Sequence, residues 1–201
     1  MSLRPQPETT FEAWLAADRA AFDSRTEYVG GEVFAMSGGS EAHNLIVANL
    51  VGELRSRFNG KPCLVYPSDM RLHIEAANVG AYPDVMVVCG ERRFRDGSRD
   101  TLTNPTLIIE VLSDSTEAYD CGDKFAYYRS LTSLTSYLLV SQKQRRAELY
   151  VRQPDGARLA DTWNLTTYRS ATDEIPLAAV GTTLPLAEVY DKVEPSPSGQ
   201  P

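Results

Sequence analysis

Histidine and cysteine are scarce in this sequence: 201 residues include only His43 and His73, and Cys63, Cys89 and Cys121, with no Cys-x-x-Cys pair. That scarcity excludes a His-Glu-x-x-His centre and argues against structural zinc. An odd number of widely spaced cysteines points to reduced thiols and a cytoplasmic location. Long apolar runs are also missing. Tyr137 to Val140 and Val85 to Cys89 fall far below the ~20 residues that span a bilayer, so neither a transmembrane helix nor a membrane partner is expected. Met1 to Thr10 holds one Arg and two Pro but no apolar core, unlike a secretory leader. No Gly-x-x-x-x-Gly-Lys-[Ser/Thr] cradle and no Gly-x-Ser-x-Gly elbow occurs, which removes the commonest nucleotide-binding and serine-hydrolase readings.

Basic residues are outnumbered, with 20 Lys+Arg against 27 Asp+Glu and a formal charge of −7. Such a balance weakens the case for avid non-specific nucleic-acid binding, since phosphate affinity comes from Lys and Arg displacing counterions. It leaves room for nucleic acid where carboxylates gather in a metal site. Basic groups stay locally dense at Arg92, Arg93 and Arg95 and at Lys143, Arg145 and Arg146, where solvated surface charge is the plain alternative.

What the sequence does hold is a core. A hydrophobic content of 42% with 13 Gly fits one soluble globular domain. At this length roughly 70% of the unfolded surface can be buried without a metal or disulfide staple.

Phe11, Trp14, Leu15 and Phe22 recur at helical spacing behind the capping Thr10, predicting a first helix that ends before Arg25. Gly30-Gly31 between Tyr28-Val29 and Val33-Phe34 predicts a tight hairpin. Ser37 to Ser40 reads as a strand-to-helix turn, and Leu45 to about Phe58 as a long helix. Strands follow at Cys63 to Tyr66, Met70 to Ile74, Tyr82 to Cys89 and Pro105 to Leu112, around a charged loop from Gly90 to Asn104. A helix over Asp120 to Leu131 carries Phe125, Tyr128 and Leu131 on one face. Strands at Ser136 to Val140 and Ala147 to Val151 follow, then a Pro154-Asp155-Gly156 turn into Ala157 to Trp163. This order gives an α/β or α+β domain with a mixed sheet over residues 10–193, between an N-terminal extension of residues 1–9 and a flexible tail of 194–201.

Two carboxylates stand out. Glu110 lies inside the apolar run Leu107-Ile108-Ile109-Glu110-Val111-Leu112, where an unpartnered carboxylate is costly. Asp84 follows Pro83 at the head of another apolar strand, as an ordinary turn Asp also would. If those strands pair, the two acids can share a hard divalent cation, which takes one or two carboxylates plus water.

With Asp120, Lys124 and Tyr128 downstream and Gly31-Glu32, Met36-Ser37 and His43 upstream, the run from Tyr82-Pro83-Asp84 through Leu107 to Thr116 resembles the Uma2 family (DUF820) of restriction-endonuclease-like proteins. The resemblance spans roughly Thr10 to Val151. It implies the PD-(D/E)XK nuclease fold, single-domain, acting as a Mg²⁺-dependent endonuclease on DNA, with Mn²⁺ as substitute and a homodimer or higher homo-oligomer as the assembly. Carried onto this sequence, Asp84, Glu110 and the Val111 carbonyl bind the metal, and Lys124 supports the attacking water. The usual lysine position, two residues after the acid, holds Leu112. Glu32 is then an added ligand or a solvent-facing hairpin residue, and His43 a cap, a substrate contact or a packing residue. Asp120 and Tyr128 share the Lys124 side of the helix, and a plain Asp120 to Lys124 ion pair is the bland alternative. A non-catalytic nucleic-acid or protein-interaction module keeping the fold is the competing function.

Overall fold

A six-stranded mixed sheet forms the centre of the molecule, in the order β11-β10-β9-β8-β6-β3. The computed structural model describes residues 9–113, 116–154 and 161–194. Its elements run α1 (Phe11–Ala20), β1 (Thr26–Val29), β2 (Glu32–Ala35), α2 (Glu41–Arg57), β3 (Cys63–Pro67), β4 (Arg71–Ile74), β5 (Val79–Ala81), β6 (Val85–Cys89), β7 (Thr101–Leu102) and β8 (Leu107–Leu112). Then come α3 (Glu117–Tyr119), a wide π turn (Asp120–Lys124), α4 (Phe125–Arg129), β9 (Ser136–Ser141), β10 (Ala147–Arg152), β11 (Trp163–Tyr168), β12 (Glu174–Leu177), β13 (Thr182–Pro185) and α5 (Leu186–Val189).

Strand periodicity explains how the sheet is covered. All six residues of β8 are buried, and successive side chains alternate between two cores. Leu107, Ile109 and Val111 pack with Ile46, Leu50 and Leu54 of α2 and with Ile175, Leu184 and Val189 near the C-terminus. Ile108 and Leu112 pack on the other side with Tyr128, Tyr137, Leu72 and Ile74. Glu110 shares the parity of Ile108 and Leu112, so it points toward α4. Strand β6 pairs antiparallel with β8, while β8 and β9 are parallel and are joined across α3 and α4.

A second sheet, β2-β1-β5-β4-β7, carries the hairpin across Gly30 and Gly31, both at positive φ. Helix α1 seals it with Phe11 and Trp14 over Tyr28. Its cap is the expected one, with Ala13 donating to Thr10 Oγ1 at 3.2 Å.

Four expectations change. Phe22 lies past the end of α1, fully exposed, so its helical spacing from Leu15 is coincidental. The helix expected over Asp120 to Leu131 begins earlier, widens through the π turn and ends at Arg129. The reduced-thiol reading is corrected for Cys63 and Cys89, which form a disulfide. They are direct partners across the antiparallel β3–β6 pair, 4.0 Å apart at Cα, and a separation of 26 residues in sequence says nothing of that juxtaposition. A cytoplasmic location therefore no longer follows from the cysteines; Cys121 alone is a free, exposed thiol. Finally, the segment after Tyr168 folds into β12, β13 and α5 against α2, a contribution that no local pattern announced. The Pro154-Asp155-Gly156 turn and the tail fall largely outside the described residues. Among the described residues no helix is long and apolar enough to cross a membrane.

Candidate active site

Asp84 sits one residue before β6, opposite the C-terminal half of β8. Its backbone N–H donates to Glu110 Oε2 at 3.1 Å, and its own Oδ2 accepts from the Val111 N–H at 2.8 Å. The two acids are thus locked by reciprocal main-chain contacts across the strand pair. Asp84 Oδ2 also meets His43 Nε2 at 3.2 Å, and this bond to the carboxylate pushes the imidazole pKa up against the opposing effect of burial. His43 reaches Asp84 from the first turn of α2, whose cap is Ser40.

Glu110 is 3% exposed, and burial drives its pKa up to about 8 despite the nearby Lys124 ammonium. Its Oε1 accepts from the Tyr128 hydroxyl at 2.6 Å and lies 3.1 Å from Lys124 Nζ. Lys124 Nζ also lies 3.2 Å from Glu27 Oε1 and 3.6 Å from Asp120 Oδ1. Burial opposes the lysine's charge, yet Glu110, Glu27 and Asp120 together hold its pKa well above the ordinary value. Burial likewise raises Asp120, with Lys124 opposing. Lys124, in the π turn, and Tyr128, in α4, both meet Glu110, while Asp120 at the start of the π turn meets Lys124.

The sequence-derived candidates therefore separate into two groups. Asp84, Glu110, Val111, Lys124, Asp120, Tyr128 and His43 come together. Glu32 does not join that hydrogen-bonded set: it lies on the exposed strand β2, at the wall of the same cleft. The hairpin acid in contact with Lys124 is Glu27, on β1, which also accepts from the Tyr82 N–H at 3.2 Å. Glu27 went unnoticed because its strand is short, although a carboxylate beside Tyr28 and Val29 was the same kind of signal that singled out Glu110.

Apart from Tyr128, these groups line a cleft of about 610 Å³, walled by Phe34, Met36 and Gly39 on one side and by Tyr119 and Tyr127 on another. A Cβ at Gly39 would stand 2.7 Å from His43 Nδ1, so only glycine leaves the imidazole where it is. Among the described residues that Nδ1 is buried without a hydrogen-bond partner.

The residues from 10 to 187 match the model of the Uma2 family, described as "Putative restriction endonuclease". This chain belongs to the Uma2 family. Among its relatives, "Uncharacterized protein slr1290" of Synechocystis sp. is 33% identical over 186 residues, covering 92% of this chain and 93% of that one. "Uncharacterized protein sll1609" of the same organism is 38% identical over 131 residues, 65% of this chain and 74% of that one. A crystal structure described as a "putative nuclease belonging to DUF820", from Anabaena variabilis, superimposes with a TM-score of 0.69 at 14% identity, covering 85% of this chain and 92% of that one. The Uma2 chain thus has the restriction-endonuclease-like mixed α+β fold.

A divalent metal can be tested against the donor set. Among the described residues no three of His, Cys, Asp and Glu are grouped to hold a metal ion. A softer metal needing three or four protein ligands is therefore poorly served. Mg²⁺ asks for less, one or two carboxylates with water completing the shell, and Asp84 with Glu110 supplies that. Three buried carboxyl groups around one ammonium also leave the pocket short of positive charge.

Proposed function

We propose that this protein is a Mg²⁺-dependent endonuclease that hydrolyses DNA phosphodiester bonds. The observation that carries the reading is the Asp84–Glu110 lock with Lys124 Nζ 3.1 Å from Glu110 at the floor of an open cleft. Asp84, Glu110 and the Val111 carbonyl would hold the metal, with Mn²⁺ as a substitute. When bound, the ion offsets charge on the phosphoryl oxygens and lowers the pKa of a coordinated water.

The chain's own residues do the rest. The Val111 N–H and His43 fix one Asp84 oxygen, leaving the carboxylate a single orientation. Tyr128 and Lys124 fix Glu110 Oε1 in the same way. Lys124, kept cationic by its three carboxyl neighbours, orients the attacking water and meets the charge that develops on phosphate. Held on two strands and a packed helix, these groups are positioned before substrate arrives.

Cleavage of both strands calls for two such centres or for reorientation of one, and a two-fold homodimer, the commonest soluble oligomer, is part of the proposal. Light scattering at micromolar concentration checks it, a monomeric mass refuting that part. The main test is nicking of supercoiled plasmid with Mg²⁺ or Mn²⁺. Cleavage that vanishes with EDTA and in Asp84→Asn supports the reading; no cleavage with either ion turns it over to a binding module that kept the fold.

A further inference from the structure

The cleft is a poor landing place for a polyanion. Its walls include Glu27, Glu32, Asp84, Glu110, Asp120 and Asp123, while Lys124, its only lysine or arginine among the described residues, is already held by carboxylates. Affinity for a phosphate backbone must come from cations beside it. Two clusters of basic residues stand out in the sequence. Arg93 and Arg95 line a separate cavity with His73 that shares no residue with the cleft, and Arg95 is paired with Glu12 at 2.6 Å. The other cluster, Lys143, Arg145 and Arg146, occupies the turn between β9 and β10.

That turn abuts the mouth of the cleft at two points. Gln142 accepts a hydrogen bond from Ser40, the neighbour of the cleft residue Gly39. Arg146 and Lys143 reach Glu117, the neighbour of the cleft residue Thr116, at 3.0 and 3.8 Å. The turn is also pinned at its backbone. The buried Tyr190 places its hydroxyl 2.6 Å from the Ser141 carbonyl and 3.0 Å from those of Gln144 and Arg146, and accepts from the Arg146 N–H at 3.1 Å. The Ser141 N–H closes the loop onto the Arg146 carbonyl at 3.0 Å. Arg145 lies over the Tyr190 ring, and both Lys143 and Arg145 are exposed. A turn pinned at its backbone presents its charges at fixed points, which lowers the entropy lost when a partner binds.

We infer that the turn over residues 142–146 is the seat of a nucleic-acid backbone beside the cleft, with Lys143 and Arg145 contacting phosphates. The inference rests on the nuclease reading only for the identity of the polyanion. The exposed pairs to Glu117 do not stand in the way, because ion pairs in water are weak and exchange readily.

The test is binding, separate from cleavage. Fluorescence anisotropy of a labelled duplex of about 20 base pairs, read in EDTA over a salt series, compares the parent with Lys143→Gln/Arg145→Gln and with the charge-matched control Arg92→Gln/Arg93→Gln. Two lost phosphate contacts should lower the slope of log K against log salt by about 2 and weaken binding about tenfold at low salt, while the control binds as the parent does. Arg145→Lys should keep the slope. Equal slopes in parent and turn variant, equal losses in turn variant and control, or no measurable binding by the parent overturns the inference. Plasmid nicking by the parent with Mg²⁺ reports on the nuclease reading alone: binding that depends on the turn without nicking leaves the seat standing and removes the nuclease.

Discussion

Glu110 and Lys124, 14 residues apart in sequence, meet at 3.1 Å beneath the sheet, and neither is more than 7% exposed. The Asp120 to Lys124 pair is present at 3.6 Å, but it is buried, and the ammonium belongs to three carboxyl groups at once. Removing it leaves buried carboxyls unpaired.

Lys124→Met should therefore cost stability as well as activity, on the order of 3 kcal/mol at neutral pH. The loss should shrink as pH falls and the stranded carboxyls protonate. Adding Glu110→Gln to Lys124→Met should recover part of it. Chemical denaturation of the single and double variants measures both, and plasmid nicking below the melting temperature of the variant separates turnover from folding. A fully active Lys124→Met protein contradicts the role proposed for the lysine.

Gly39→Ala should damage the site with little change in the core. The new Cβ would fall 2.7 Å from His43 Nδ1, forcing the imidazole away from Asp84. Nicking should fall about tenfold or more while the melting temperature moves by only a few degrees, since loss of one orienting contact typically costs that much in rate. Unchanged nicking would show that His43 does not position Asp84.

Acid should weaken the α1 interface. Burial acts to raise Asp18, but hydrogen bonds from Tyr82 and Arg71 bring it below the ordinary value. The Arg19 hydrogen bond lowers Asp100 in the same way. With folded values below the unfolded ones, both contribute stability that is complete above about pH 4 and fades as pH falls through the depressed values. Asp18→Asn should lower stability at pH 7 and flatten its decline below pH 4. An unaltered acid limb in urea melts would contradict this.

Reduction should destabilise without disassembling the site. Closing a loop between residues 26 apart contributes about 3 kcal/mol in the chain-entropy account. Cys63→Ser/Cys89→Ser should melt lower than the oxidised parent and match the reduced parent. The disulfide sits at the end of β6 remote from Asp84, so nicking at low temperature should persist. Identical melting of the oxidised and reduced parent would count against the cross-link.

Local chemistry in the sequence was enough for the hairpin at Gly30-Gly31, the cap at Thr10, the apolar strands and the odd carboxylate within β8, because each depends on neighbours a few residues away. The family pattern also marked Asp84, Glu110 and Lys124. Tertiary structure alone decided the rest. Glu27 joined the lysine because β1 runs beside β5, which leads into the Tyr82–Asp84 segment, and Glu32 fell on the exposed edge strand instead. Cys63 met Cys89 through strand register, and Tyr190 reached the basic turn from 44 residues away through the packing of α5 on α2. Sequence periodicity reports which face of an element is buried. Which element it is buried against depends on long-range pairing, and that is where the third carboxyl, the disulfide and the pinned turn were set.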